Sequence, residues 1–344
     1  MLSFSVPPLQ QEKIEEARQY IDALTKPPGS LGRLEEIAIQ LAGMTGEIKP
    51  NIAPASLVFC ADHGIVEENV SASPQEVTYE MAMNMVEGGA GISVFSRMIG
   101  APLAVYDLGI VCPVPNDKVI NKKVRPHGTA NFLKERAMTE EEAWQAIKVG
   151  YEAAQQAIRN GAGCIIVGEL GIGNTTSSSA ILAAMLDIDP ETVVGHGSGI
   201  NDQQLIHKID VCRKAIVLHE PKKDDAIDLL SKIGGLDIAG MTGAMIGAAE
   251  MRTPVLLDGF ICTVSACLAE LLAPGAVNYM ILSHNSVEIG HQIAAKHLKK
   301  EPLVQLDLRL GEGTGAAIAY PIVQAANVMV KDMTTFQAAN VSQK

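Results

Sequence analysis

Aromatic residues are scarce, 4% of 344 residues with a single tryptophan, so a β-sandwich core built on large rings is not expected. Glycine (31) and alanine are abundant instead, which favours closely packed helices on a sheet and turns that depend on glycine. Charged residues make up only 19%, and the net charge of −12 excludes nucleic acid as the main partner, because phosphate backbones are held by clustered Lys and Arg. A phosphorylated small molecule remains allowed, since it needs only backbone N–H groups and one or two local cations. The six cysteines, at 60, 112, 164, 212, 262 and 267, form no CxxC pair and mostly sit in apolar runs. They read as buried small hydrophobes in a reducing compartment. The N-terminus has no basic stretch followed by an apolar core, and apolar runs such as residues 238–249 are glycine-rich and too short to span a bilayer. A cytoplasmic protein without a membrane segment is expected.

Several familiar signatures are also missing. No Gly-Lys-Thr/Ser follows a glycine-rich turn, and GxGxxG, GxSxG and HExxH are all absent. What is present alternates. Residues 9–24 and 30–45 have helical patterns separated by the breaker Lys26-Pro27-Pro28-Gly29, with Ser30 as the expected N-cap of the second. Apolar runs rich in β-branched residues then appear at 55–60, 103–107, 163–169, 254–261 and, more weakly, 278–283, each followed by a polar or glycine-containing turn and a helical stretch such as 140–160 or 177–186. This order predicts βαβ units and a parallel, Rossmann-like sheet flanked by helices. Such sheets bind ligands beyond the carboxyl ends of their strands. A last Ala-rich helical stretch, 316–337, is placed to pack with the N-terminal helices. The predicted division is a small helical domain of residues 1–50 with 321–344 and a large α/β domain of 51–320.

Four segments carry residues suited to chemistry. In the first, a strand (CIIVGEL) enters a glycine-rich turn, Gly171-Ile172-Gly173, followed by Asn174, Thr175, Thr176 and Ser177 at a helix start. Glycines let the backbone approach an anion, and the helix N-terminus offers free N–H groups, so the turn reads as a phosphate cradle. A second such turn, Gly195-His196-Gly197-Ser198-Gly199, precedes a helix containing Lys208, whose point charge the acidic chain otherwise lacks. A flexible connection and a solvated helix-face lysine explain that segment nearly as well. Third, Glu312 lies between glycines with Leu308, Leu310 and Ala316 nearby. Its chemistry alone fits a general base of raised pKa and a surface turn residue equally. Fourth, Asp62-His63 follows the first strand and, with no second His close in sequence, reads as hydrogen bonding that shapes a loop. His284, Glu288 and His291 would share one face on a helix, yet no third ligand cluster supports a metal there.

Together these segments resemble the nicotinate-nucleotide–dimethylbenzimidazole phosphoribosyltransferases, over nearly the whole chain and in order: PPGSLGRLEEIAIQLA, CADHGIVEENVSASPQEVT, GGAGISVF, VYDLGI, GTANF, GELGIGNTTSSSAI, GSGIND, GGLDIAGMTGA, LDGFICTVSA, SHNSVEIGH and LDLRLGEGTGAA. The resemblance implies transfer of a phosphoribosyl group from nicotinate mononucleotide to a benzimidazole-type base by a homodimer, with no metal and no cofactor. It implies Glu312 as catalytic base and Glu169 as a second active-site carboxylate. It also implies a nucleotide phosphate held by Gly171, Gly173, Asn174, Thr175, Thr176, Gly197, Ser198 and Lys208, and a base pocket drawing on Gln75, Tyr79, Met83, Leu170 and Leu310. Ser286 is implied to reach the partner subunit's site. Ser73 precedes Pro74 where the family pattern has a larger residue, so the resemblance does not fix the acceptor. A related transferase acting on phenolic or purine acceptors, alone or as a heterodimer with a paralogue, and a non-catalytic nucleotide-binding subunit are the alternative readings. Glu312, which a non-catalytic subunit could lose at no structural cost, speaks against the last.

Overall fold

The computed structural model describes residues 3–197 and 199–342. The chain opens with α1 (Gln11–Asp22) and α2 (Arg33–Thr45), followed by β1 (Pro54–Ala61), α3 (Glu76–Glu87), α4 (Gly91–Met98), β2 (Leu103–Gly109) and β3 (Val119–Asn121). Next come α5 (Glu140–Arg159), β4 (Cys164–Leu170), α6 (Asn174–Leu186), α7 (Asp202–His219), α8 (Ala226–Ile233) and α9 (Leu236–Glu250). The remainder comprises β5 (Val255–Leu257), α10 (Phe260–Leu272), β6 (Met280–Leu282), α11 (Ile289–His297), α12 (Thr314–Asp332) and α13 (Phe336–Ala339).

The six strands form one sheet in the order β3-β2-β1-β4-β5-β6, every neighbouring pair parallel. Parallel strands buried on both faces read as continuous apolar runs, and β1 and β4 are buried at every position. The chain leaves β1 in one direction for β2 and β3 and in the other for β4, so the order reverses between β1 and β4. In such sheets the crevice at that switch point is where ligands sit.

Two expectations need correction. Residues 254–261 were expected to be one strand, but β5 ends at Leu257 and Phe260 already begins α10. An apolar run has no periodicity to mark where a buried strand gives way to a buried helix. Asp258 thereby falls in the turn at the strand's carboxyl end. The N-cap of α2 is Gly32, at φ +48°, and not Ser30. The three-residue β3 was not foreseen, being too short to show a pattern.

The scarcity of rings has its counterpart in the packing of α5 on α9. A Cβ placed on Gly150 would stand 1.8 Å from the Gly240 carbonyl oxygen, and one on Gly243 1.9 Å from that of Ile147. Bare backbone thus sets the separation of these helices, and α9 is buried along nearly its whole length beneath the sheet. Chain ends meet on the far side. The Phe336 amide donates to the Ala23 carbonyl at 2.9 Å, the Thr25 amide to that of Thr334 at 3.0 Å, and α12 packs on α2. No described helix is long and apolar enough to cross a membrane.

Candidate active site

At the carboxyl ends of β4, β5 and β6 a cavity opens whose wall includes Glu169, Leu170, the turn 171–175, Gly197, Lys208, Asp258, His284, Ser286, Leu310 and Glu312. Most of the residues singled out in sequence meet here. Gln75, Tyr79 and Met83 are not part of this wall. They belong to or adjoin α3, which touches the site through Thr78, whose hydroxyl accepts from the Ile172 amide at 3.1 Å. Thr176 is fully buried behind the turn, with no partner for its hydroxyl among the described residues. Ser198 lies outside the described residues.

Glu312 sits in an unusual backbone. Gly311, Glu312 and Gly313 have φ of +87°, +65° and +88°, three successive left-handed residues. For a residue with a Cβ this costs on the order of 1–2 kcal/mol and persists only where the surroundings enforce it. Two carboxylates do so. Glu169 accepts from the Glu312 amide at 3.3 Å, and Asp258 accepts from the amides of Gly313 (3.0 Å) and Ala316 (3.1 Å) at the start of α12. From below, β4 presses close: a Cβ on Gly168 would lie 2.1 Å from the Glu312 carbonyl oxygen, so only glycine fits there. The Glu312 side chain, 5% exposed, accepts one long bond from the Ile92 amide at 3.4 Å, and its other oxygen has no partner among the described residues. Burial raises its pKa above the ordinary carboxylate value, the Ile92 amide pulls it back, and the Asp258 charge adds a further rise.

Glu169 is buried among acids. Desolvation first, then the charges of Asp237 and Asp258, push its pKa up to about 8, against hydrogen bonds from the Glu312 amide and Asn174. On the opposite wall the cradle is assembled from two turns. The Asn201–Gln204 capping box starts α7, and nearly two helical turns later Lys208 is buried with Nζ 3.0 Å from Thr175 Oγ1 and 3.2 Å from the Gly195 carbonyl oxygen. Gly197, at φ +56°, passes so near that a Cβ would stand 3.4 Å from that Nζ. Burial lowers the lysine's pKa, and the nearby Glu288 acts against this. At the α6 start, the Thr175 amide has no partner among the described residues, as a site for an anion requires.

Asn174 does not point its side chain at the cradle: its amide nitrogen donates to Glu169 and, at 3.1 Å, to Asp237. Ser286 lines the cavity of its own chain, together with Glu312. His284 and Glu288 precede α11 and His291 lies in it, so the three do not form one helical face, and no cluster able to hold a metal occurs among the described residues. His284 rests 3.3 Å from Asp258, while burial lowers the pKa of His291 to about 4, so that it stays neutral near pH 7. Sequence reading missed Asp258 and His284 as site residues, and Arg309 at the cavity wall; the only signal was Asp258's place at the end of an apolar run.

The sequence profile of a phosphoribosyltransferase family matches residues 6–341. Among curated proteins, the nicotinate-nucleotide–dimethylbenzimidazole phosphoribosyltransferase of Chloroflexus aggregans is 46% identical over 338 residues, covering 98% of this chain and 96% of that one. The chain belongs to this phosphoribosyltransferase family. The enzyme of the same name from Halalkalibacterium halodurans is 48% identical over 339 residues, with 98% and 95% coverage. The crystal structure of CobT from Thermus thermophilus superposes with a TM-score of 0.92 at 40% identity, covering 97% of this chain and all of that one. The six buried or half-buried thiols fit the reading of their residues as hydrophobes: desolvation pushes Cys164, Cys212 and Cys267 to about 12 and raises Cys60 and Cys262 as well.

Proposed function

We propose that this chain transfers the 5-phosphoribosyl group from nicotinate mononucleotide to 5,6-dimethylbenzimidazole or a similar base, giving α-ribazole 5′-phosphate and nicotinate in cobalamin nucleotide-loop assembly. The observation that carries this is full-length membership in the family together with Glu312 held over the cavity. Nicotinate mononucleotide brings its own leaving group, a cationic pyridinium at C1′, so departure needs little acid catalysis. A ring nitrogen of the base attacks C1′ from the opposite face, the C1′–N bond breaks with its electron pair on the nicotinate ring, and Glu312 takes the acceptor's N–H proton. Glu312 and Asp258, both on the cavity wall, favour the positive charge that develops on the ribose. Leu170 and Leu310 give the base an apolar wall, with the α3 residues Tyr79 and Met83, and Gln75 before them, as its further border. Incubating the purified protein with nicotinate mononucleotide and a panel of benzimidazoles, purines and phenols, with product identification, tests the acceptor directly.

The 5′-phosphate is assigned to the turn 171–176 with Gly197, Ser198 and Lys208. Lys208→Ala is expected to raise the KM for nicotinate mononucleotide about 10-fold or more, as loss of one charge-assisted contact of about 1.5–3 kcal/mol implies. The KM for the base should change little. Equal effects on both substrates would assign Lys208 to the fold.

The division into a small helical domain (residues 1–50 with 321–344) and a large one (51–320) is proposed on the meeting of the chain ends, and a cytoplasmic location on the unpaired thiols. We also assign the chain to a homodimer. Leu310 on the cavity wall, and Val287, Ile289 and Leu306 in the chain segments that lead to that wall, stand 47–60% exposed, apolar side chains that a second copy would cover. Because Ser286 and Glu312 share one chain's cavity, mixing inactive Glu312→Gln and Ser286→Trp subunits under exchange should restore no activity. Recovery toward about a quarter of wild type, the value for shared sites in randomly paired dimers, would place Ser286 in the partner's site after all.

A further inference from the structure

Behind Glu169 runs a buried polar chain that the reaction as described does not use. His63, two residues beyond β1, and Asp237, in the first turn of α9, are both wholly inaccessible. His63 Nε2 lies 2.9 Å from Asp237 Oδ1, and its Nδ1 lies 3.0 Å from the Ser177 hydroxyl. The other Asp237 oxygen accepts from Asn174 Nδ2 at 3.1 Å, and the same nitrogen donates to Glu169 Oε2. Asn174 thus places both amide hydrogens on carboxylates, which also settles its orientation, because the flipped amide would turn its oxygen toward two acids. Glycines close around the chain: a Cβ on Gly235 would stand 2.3 Å from the His63 ring, and one on Gly171 2.9 Å from Asp237 Oδ2. At its far end the chain reaches the catalytic loop, since Glu169 Oε1 receives the Glu312 amide.

We propose that Asn174, Asp237 and His63 form a positioning relay that holds the Glu169 carboxyl beneath the Glu312 loop and governs its charge. The inference rests on the reading of Glu169 as an active-site carboxylate. Separating two buried acids by one amide has a definite electrostatic result. The Asp237 charge disfavours ionisation of Glu169, and the Asn174 hydrogen bond favours it. The other groups facing Glu169 are Asp258 after β5, Glu312 in the loop before α12, and the thiols of Cys60 on β1 and Cys262 on α10, which burial keeps protonated. With desolvation as the largest cause, Glu169 titrates near 8 and carries its proton at neutral pH.

The test uses two substitutions of opposite expected sign. Asp237→Asn preserves size and the relay's own hydrogen bonds: its oxygen accepts from Asn174, and its amide donates to His63 Nε2 once the imidazole proton moves to Nδ1, facing Ser177, while the bond that Oδ1 accepts from the Ile238 amide is given up. With the negative charge gone from beside it, Glu169 should titrate lower by about one pH unit. Asn174→Ala removes a donor to the ionised carboxylate and should move the titration higher. His63→Gln, which keeps a donor toward Asp237, should leave it in place. The titration is read by infrared spectroscopy of the whole protein, as the protonated-carboxyl band that Glu169→Gln abolishes, alongside the pH profile of kcat/KM for nicotinate mononucleotide. Opposite shifts support the relay. Shifts in one direction, or none, overturn it, and should Asn174→Ala not fold, a titration unmoved in Asp237→Asn does so alone. Opposite infrared shifts with an unchanged pH–rate profile leave the relay standing and remove Glu169 from the chemistry.

Discussion

Glu312→Gln is expected to lower kcat by about 10²–10⁴-fold, the usual contribution of a positioned base, while nicotinate mononucleotide still binds. Glutamine keeps the size of the side chain and can still accept from the Ile92 amide, but it cannot take the acceptor's proton. The left-handed backbone of the loop is held by its own amides and not by this carboxylate, so the substitution leaves the loop in place. Because burial raises the Glu312 pKa, the wild-type rate should climb with pH through a limb lying above the ordinary glutamate value of 4.5. That limb should vanish in the variant. Steady-state kinetics from pH 5 to 9 (a range bracketing a raised carboxylate, roughly) with dimethylbenzimidazole checks both statements; near-wild-type turnover across that range would remove Glu312 as the base.

Asp258→Asn is the second large effect. Asp258 is buried, and its two oxygens take up the amides of Gly313 and Ala316 while Oδ1 faces His284. Asparagine must turn its own NH₂ toward one of these donors, leaving a buried N–H opposite another. The expected cost is about 1–3 kcal/mol of stability. The consequence for turnover is larger than this number suggests. The catalytic loop has no side chain other than Glu312 to anchor it between its glycines, and a displacement of about 1 Å at a reacting group costs roughly 10²-fold. The signature is a fall in kcat of that size with the KM for nicotinate mononucleotide nearly unchanged, since the phosphate cradle stands on α6 and α7. A rise in that KM with kcat preserved would instead connect Asp258 with substrate binding and not with the loop. Denaturant unfolding of the same variant separates the stability loss from the kinetic one.

The strand-to-glycine-to-helix order at 168–177 is local, and local signals survive folding: the sequence alone placed the turn, the hydroxyls after it and the parallel sheet around it. The ordered set of motifs named the family, since eleven ordinary segments in one order are specific where any one is not. Lys208, a surface lysine by its pattern, reaches the Thr175 hydroxyl only because α7 packs beside α6. Asp258 was hidden in an apolar run whose strand and helix halves share one hydrophobic texture.

Asn174 shows the limit most clearly. Its place at the start of a helix argued for an anion, yet its amide is taken by Glu169, five residues earlier, and by Asp237, sixty-three residues later. Which of two possible partners a polar side chain chooses depends on what the rest of the fold brings within about 3 Å, a distance no spacing along the chain encodes. Composition, periodicity and turn chemistry determined the class of fold and marked a glycine turn suited to an anion, because each is written in neighbouring residues, while the reading of Glu312 as the base came from the family resemblance alone. The charge of Glu169, the loop that holds Glu312 in a left-handed backbone and the relay beneath them were decided only when α9 and α12 packed against the sheet. Burial and the company of other charges exist only in three dimensions.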